Sequence, residues 1–210
     1  MMDSFTRSCK NATLDGIWRL LWACALALTA LTAYADSGVE ITQLRLERSD
    51  DEVQLSAQLH FELPTVVEDA LLKGIPMVFV MGADTVRERW YWYDKKMASS
   101  ERYMRLAYQP LTRRWRLNVS SAPGAAVAVG LALNQNYESL ALALAAIKRV
   151  SKWKIADVSD FDAGTKYRTE FRFRLDLTQL PRPFQIGALG QTDWDIAVST
   201  TVPLSIENLK

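Results

Sequence analysis

The chain has 210 residues, and 25 lysines and arginines nearly balance 24 aspartates and glutamates, for a formal net charge of +1. Nucleic-acid binders carry a basic excess, because phosphate contacts dominate their affinity, so the composition argues against that class of partner. Both cysteines, Cys9 and Cys24, sit near the N-terminus and the single histidine is His60. The remaining chain therefore has no disulfide and no Cys ligand, and it cannot build a multi-histidine metal site.

Basic residues Arg7, Lys10 and Arg19 precede an uncharged apolar run from Leu20 to Ala33, and Ala33-Tyr34-Ala35 then offers small residues on either side of Tyr34. That order is the pattern of a secretory signal peptide cleaved before Asp36. The run is shorter than the ~20 residues that span a bilayer. An uncleaved inner-membrane anchor is the alternative. Residues 1–35 thus read as a leader and 36–210 as one β-rich extracytoplasmic domain. Setting aside the leader charges (Arg7, Lys10, Arg19, Asp3, Asp15) leaves 22 residues of each sign.

Val39 to Arg48 reads as a strand whose phase slips near Thr42-Gln43, as a bulge allows. After a turn at Ser49 to Glu52, Val53 to Leu63 alternates apolar and polar residues over eleven positions. That period places one face in a core and one in water. Pro64 to Lys73 predicts a short helix that opens on Pro64 and closes at Gly74. Ile75 to Met81 is continuously apolar, a strand buried on both faces, with a bulge or kink expected at Gly82. Val86 to Asp94 extends it as a strand.

Arg102 to Tyr108 and Arg113 to Val119 form the next hairpin, and Ser121 to Gly130 is a linker of small residues. Asn134 to Val150 predicts the longer helix, from the spacing of Tyr137, Leu140, Ala141, Leu144 and Ile147. Trp153 to Ile155 is a strand. Tyr167 to Leu177 alternates again, with arginines and acids outward. Leu180-Pro181-Arg182-Pro183 breaks the sheet. Trp194 to Ile206 is a last strand that Pro203 confines to an edge. The sum is a mainly β domain: an antiparallel β-sandwich or strongly curved sheet with two helices, near 65–73 and 135–150.

Two segments carry a resemblance. One is Arg105 to Leu117, with its Tyr108-Gln109-Pro110-Leu111-Thr112 turn. The other runs from Phe173-Arg174-Leu175-Asp176 through Leu180-Pro181-Arg182-Pro183-Phe184-Gln185 to Asp193-Trp194. Together they resemble domain of unknown function 4390, a family of exported proteobacterial proteins. The motifs are turn and strand patterns without reactive residues, so the resemblance implies no activity. Family members encoded near two-component sensor kinases imply a role in envelope signalling.

No residue set stands out as catalytic. His60 lies on the polar side of its strand, where a general base would still need a partner within hydrogen-bond reach. Ser151-Lys152-Trp153-Lys154 matches Ser-x-x-Lys, but the companion Ser-Asp-Asn and Lys-Thr-Gly elements do not occur in the chain. Asp157, Asp160, Asp162 and Gly164 fail the spacing of a calcium loop and read as an acidic turn. Asp193 and Asp195 bracket Trp194, as paired acids or as a solvated strand edge. Arg168, Arg172 and Arg174 alternate with Glu170 and Asp176, which reads as a solvated face of cross-strand pairs.

Trp90-Tyr91-Trp92-Tyr93 is the most unusual run. Either both faces of this strand are covered, or one aromatic pair is exposed. Exposed aromatics beside arginines are typical of interface hot spots, and Arg87, Arg89, Arg114 and Arg116 can supply that rim. The candidate interaction surface is Trp90, Tyr91, Trp92, Tyr93, Arg114 and Arg116. The expectation is a non-catalytic, cofactor-free periplasmic domain that binds another envelope protein, a sensor kinase among the candidates. The alternative is a carrier or sensor of a small apolar ligand.

Overall fold

A computed structural model describes residues 38–87, 94–122, 133–162, 164–188 and 191–205. The leader and the aromatic run at 90–93 lie outside the described residues. Nine strands and three α-helices occur among those described, in the order β1 Glu40–Ser49, β2 Glu52–His60, α1 Thr65–Leu72, β3 Met77–Arg87, β4 Lys95–Gln109, β5 Arg114–Ser120, β6 Leu133–Tyr137, α2 Leu140–Lys148, β7 Arg149–Asp157, β8 Tyr167–Leu175, α3 Arg182–Ala188 and β9 Ala197–Leu204. All pairings are antiparallel. They build a three-stranded sheet, β1-β2-β7, and a six-stranded sheet, β6-β5-β4-β3-β8-β9. The protein is mainly β, as its sequence pattern predicts.

The alternation in β2 puts Val53, Leu55, Ala57 and Leu59 in the core. The slip expected in β1 is present, with the register shifting between Ile41 and Gln43. Strand β3 is the centre of the larger sheet and is buried almost throughout, from Met77 to Thr85 with only Val78 half-buried. Its register runs unbroken through Gly82, which pairs with Glu101 and Arg172, and shifts only between Thr85 and Val86. The bulge expected at Gly82 is therefore absent, and β3 continues without a break to Arg87.

Helix α1 ends as predicted. Gly74 adopts a left-handed φ of 82°, where its N–H reaches the Leu71 carbonyl at 2.8 Å and the Ile75 N–H reaches Ala70 at 3.0 Å. Glycine takes that conformation without a Cβ clash. The longer helix is shorter than its periodicity implies. Asn134 and Asn136 instead pair with Asn118 and Arg116 in β6, and α2 starts only after Ser139, whose Oγ accepts the Leu142 N–H at 3.3 Å. Asparagine is a poor helix former and serine a good N-cap, so polar pairing wins at this end. Beyond Lys148 the chain turns directly into β7.

A third helix, α3, occupies the stretch read as a sheet breaker. Its first turn bonds the Phe184 and Gln185 N–H groups to the Pro181 carbonyl at 2.9 and 3.2 Å. Proline is tolerated in a first turn because its missing N–H would have no partner there. Strand β9 lies at the sheet edge, as Pro203 requires.

The two sheets enclose one core. Phe173 of β8 stacks on Phe79 of β3 at 5.8 Å and packs against Phe61, just past β2, at 5.2 Å. At one border β4 runs beside β7: Ser100 Oγ donates to the Ile155 carbonyl at 2.9 Å, and the Arg102 guanidinium lies 5.1 Å from the centre of the Trp153 ring. At the other border β9 approaches β1. Among the described residues no helix is long and apolar enough to cross a membrane.

The aromatic cluster joins three strands from both sheets, so truncating it tests the sandwich. Phe173→Ala should cost about 3–5 kcal/mol, read as a lower urea midpoint at unchanged slope. A loss under about 1 kcal/mol would mean that the two sheets do not depend on this contact.

Candidate functional site

Strand parity assigns two faces to the six-stranded sheet. The inner face carries Met77, Phe79, Met81 and Ala83 of β3 into the core. The outer face presents Val78, Val80, Gly82, Asp84 and Val86. Register sets these beside Tyr103, Glu101 and Ser99 of β4 on one side, and Arg174, Arg172, Glu170 and Arg168 of β8 on the other.

Asp84 organises this face. It is 5% exposed, yet three groups reach its carboxylate: Lys96 Nζ at 2.8 Å, Ser99 Oγ at 2.6 Å, and Arg172 through a close ion pair. Burial alone would raise its pKa. Hydrogen bonds from Lys96 and Ser99, with the charges of Arg172 and Lys96, outweigh burial and hold the pKa below the ordinary 3.8. Arg172 lies over β3 at position 82, where a Cβ would stand in ordinary van der Waals contact with its Nε and terminal nitrogen, at 3.8 Å.

The pairing extends along β8. Arg168 pairs with Asp94, Arg172 also approaches Glu170 at 3.8 Å, and Arg174 approaches the buried Asp176 at 3.5 Å. Asp176 in turn accepts the Thr178 hydroxyl at 2.7 Å. On the β4 side Tyr103 donates a short hydrogen bond to Glu101. That bond, with burial and the Glu101 charge, pushes the phenol up to about 12. A cleft of about 310 Å³ opens here, lined by Val80, Gly82, Glu101, Arg172 and Arg174. The cross-strand pairs expected from the β8 sequence are thus present. The buried carboxylate at their centre was not foreseen, because Asp84 is a lone acid after an apolar run. The signal was its parity: it shares the outward phase of the β8 arginines.

The β4–β5 half of the same face differs. Arg105, Arg114 and Arg116 are exposed, with Arg114 opposite Gln109, Arg116 opposite Ala107 and Arg105 opposite Asn118. Arg114 stands 4.0 Å from Glu138, which is itself largely exposed. Arg105 and Arg116 have no carboxylate in ion-pair reach among the described residues.

Of the predicted surface, Arg114 and Arg116 fall within the described residues. Trp90, Tyr91, Trp92 and Tyr93 lie outside the described residues. Arg87 and Lys95, which flank them, pair at one end of the β3–β4 ladder, whereas Arg114 and Arg116 pair near the other end of β4. What stands beside Arg114 and Arg116 is Arg105.

The remaining candidates are scattered. His60 ends β2 in solvent. Ser151 lies on strand β7, not at a helix end, beside an irregularity where Lys152 takes a φ of 49° and gives its N–H to Ser56 Oγ at 3.1 Å. Lys154 is held by Asp157 at 2.8 Å and Glu52 at 3.0 Å, which push its pKa up to about 12. An ammonium so held is a poor activator of a neighbouring serine. The acids of the 157–164 turn point to separate partners: Asp157 to Lys154, Asp160 to the Asp157 N–H at 3.2 Å, and Asp162 to Arg87 at 3.0 Å. Asp193 lies in a 3-10 turn, Thr192–Trp194, with Trp194 buried and Asp195 beyond it, so these two acids do not share a strand face.

The model of one protein family, domain of unknown function (DUF4390), matches residues 36–203. The chain belongs to that family. No curated protein matches it. No solved structure matches it either.

Two titrations test the geometry. A carboxyl with a depressed folded pKa stabilises the fold above its unfolded value and loses that contribution as pH falls through the folded one. Wild type should therefore lose stability below about pH 4 more steeply than Asp84→Asn. At neutral pH that variant should be less stable by about 1–3 kcal/mol, because Lys96 and Arg172 can still turn to water. Parallel acid profiles would refute the role given to Asp84. A raised phenol pKa works in the opposite sense: the Tyr103–Glu101 bond stabilises fully below pH 10 and is lost as pH rises through about 12. Absorbance titration should find one tyrosine near 12 that returns toward 10 in Glu101→Gln. If Glu101→Gln leaves it unmoved, Glu101 is not the cause.

Proposed function

We propose that this chain is an exported β-domain of the Gram-negative envelope that works by binding another envelope protein, without catalysing a reaction. The observation that carries the reading is the outer face of the six-stranded sheet. It is a broad, solvent-facing, arginine-rich surface, while α1, α2 and the three-stranded sheet supply the core on the other side. Arginine is enriched in protein interfaces, where its planar fork meets carboxylates and its stem covers apolar area.

The leader pattern supports export, and family membership agrees with the resemblance that suggested an envelope role. A membrane sensor kinase with an extracytoplasmic region is the partner we favour. The apolar-carrier reading has less support: the space between the sheets is filled by Phe61, Phe79 and Phe173, and two clefts, one over β1, β2 and β7 and one beside Arg172, open on polar faces.

Photo-cross-linking in living cells tests the reading. A photoreactive residue at Asn136, on the outer face of β6, should capture one inner-membrane protein. The same residue at Gln43, on the smaller sheet, should not. Capture from Gln43 alone, or from neither position, would overturn the proposed docking face.

A further inference from the structure

The outer sheet face is electrostatically divided. On β8 every arginine has a carboxylate: Arg168 with Asp94, Arg172 with Asp84, Arg174 with Asp176. On β4 and β5 three arginines surround the small side chain of Ala107, and among the described residues only Glu138 comes near one of them. Arg105 stands diagonally across from Arg116, and Arg114 is two residues along β5 on the same face, so neighbouring like charges are spaced about 7–8 Å apart.

Overall charge does not force this clustering, since the whole chain carries only +1. Asn118, opposite Arg105, and Asn136, opposite Arg116, add amides that can bond a peptide backbone. Guanidinium groups spaced along a flat sheet suit several carboxylates presented by one extended chain.

From this division we infer that Arg105, Arg114 and Arg116 bind an acidic, extended segment of the partner protein. The inference rests on the protein-binding reading and names the chemistry of the segment that docks. Leu106, Trp115 and Leu117, buried on the inner face of β4 and β5, anchor the backbone beneath the cluster. Salt screens such contacts, so the complex weakens as ionic strength rises.

The test uses the full chain purified from cells and a fluorescent Glu-rich decapeptide, with its Gln counterpart as control, read by anisotropy. The Glu peptide should bind about tenfold or more tightly than the Gln peptide, and Arg105→Gln/Arg116→Gln should lose about that factor. Arg149→Gln, on the smaller sheet, should not. Arg105→Lys/Arg116→Lys, which keeps the charge, should retain most of the binding, and the thermal midpoint of each variant separates lost binding from lost fold. Equal binding of the two peptides, or unchanged binding by Arg105→Gln/Arg116→Gln, would overturn the inference. So would binding to phosphatidylglycerol vesicles without binding to the Glu peptide. If Arg105→Gln/Arg116→Gln still cross-links its partner from position 136, this inference fails while the protein-binding reading stands.

Discussion

The buried carboxylate of Asp84 is the constraint around which the outer sheet face is arranged. An isolated charge at the centre of a sheet would be strongly disfavoured, and burying it requires paired charges and hydrogen bonds. Lys96 and Ser99 come from β4 and Arg172 from β8, so one residue of β3 ties three strands together on the side away from the core. On the inner side the same strand contributes Phe79 to the aromatic cluster. Strand β3 thus holds the sheet by apolar packing on one face and by a charged clasp on the other.

Charge pairing on β8 in turn gives the unpaired half its meaning. The chain has carboxylates enough for its arginines, and on β8 it uses them. Around Ala107 it does not. Among the described residues Arg105 and Arg116 have no carboxylate in reach and Arg114 has only the exposed Glu138, on a sheet face that register and burial hold in place. That is the arrangement of a surface whose counter-charges come from another molecule. The export we propose would give the setting in which such a molecule is met.

Much of the fold was legible in the sequence because the outer and inner faces alternate so cleanly. Tyr167, Thr169, Phe171, Phe173 and Leu175 are all buried, with every intervening residue more exposed. The slip at Thr42-Gln43 marked a real irregularity in β1. Illegible were the places where polar residues make a choice that periodicity does not record. Asn134 to Asn136 carry no apolar pattern and join a strand only because β5 offers an edge. Arg182-Pro183 starts a helix that a proline pair conceals. Of the candidate site, Arg114 and Arg116 were legible as rim arginines of an interaction surface, but their strand neighbours were not. Strand register brings Arg105 and Ala107 beside them, a neighbourhood that sequence spacing does not record. Asp84 escaped notice because one acid after an apolar run looks like a strand end until β8 is laid beside it.

The division of the sheet face can be measured directly by NMR of the arginine side-chain Nε–H groups in the free protein. The account predicts slow solvent exchange and well-dispersed signals for Arg168, Arg172 and Arg174, and rapid exchange with random-coil-like signals for Arg105, Arg114 and Arg116. Comparable protection of the two sets would contradict it, because the arginines of β4 and β5 would then have partners within the chain and no charge left to offer another.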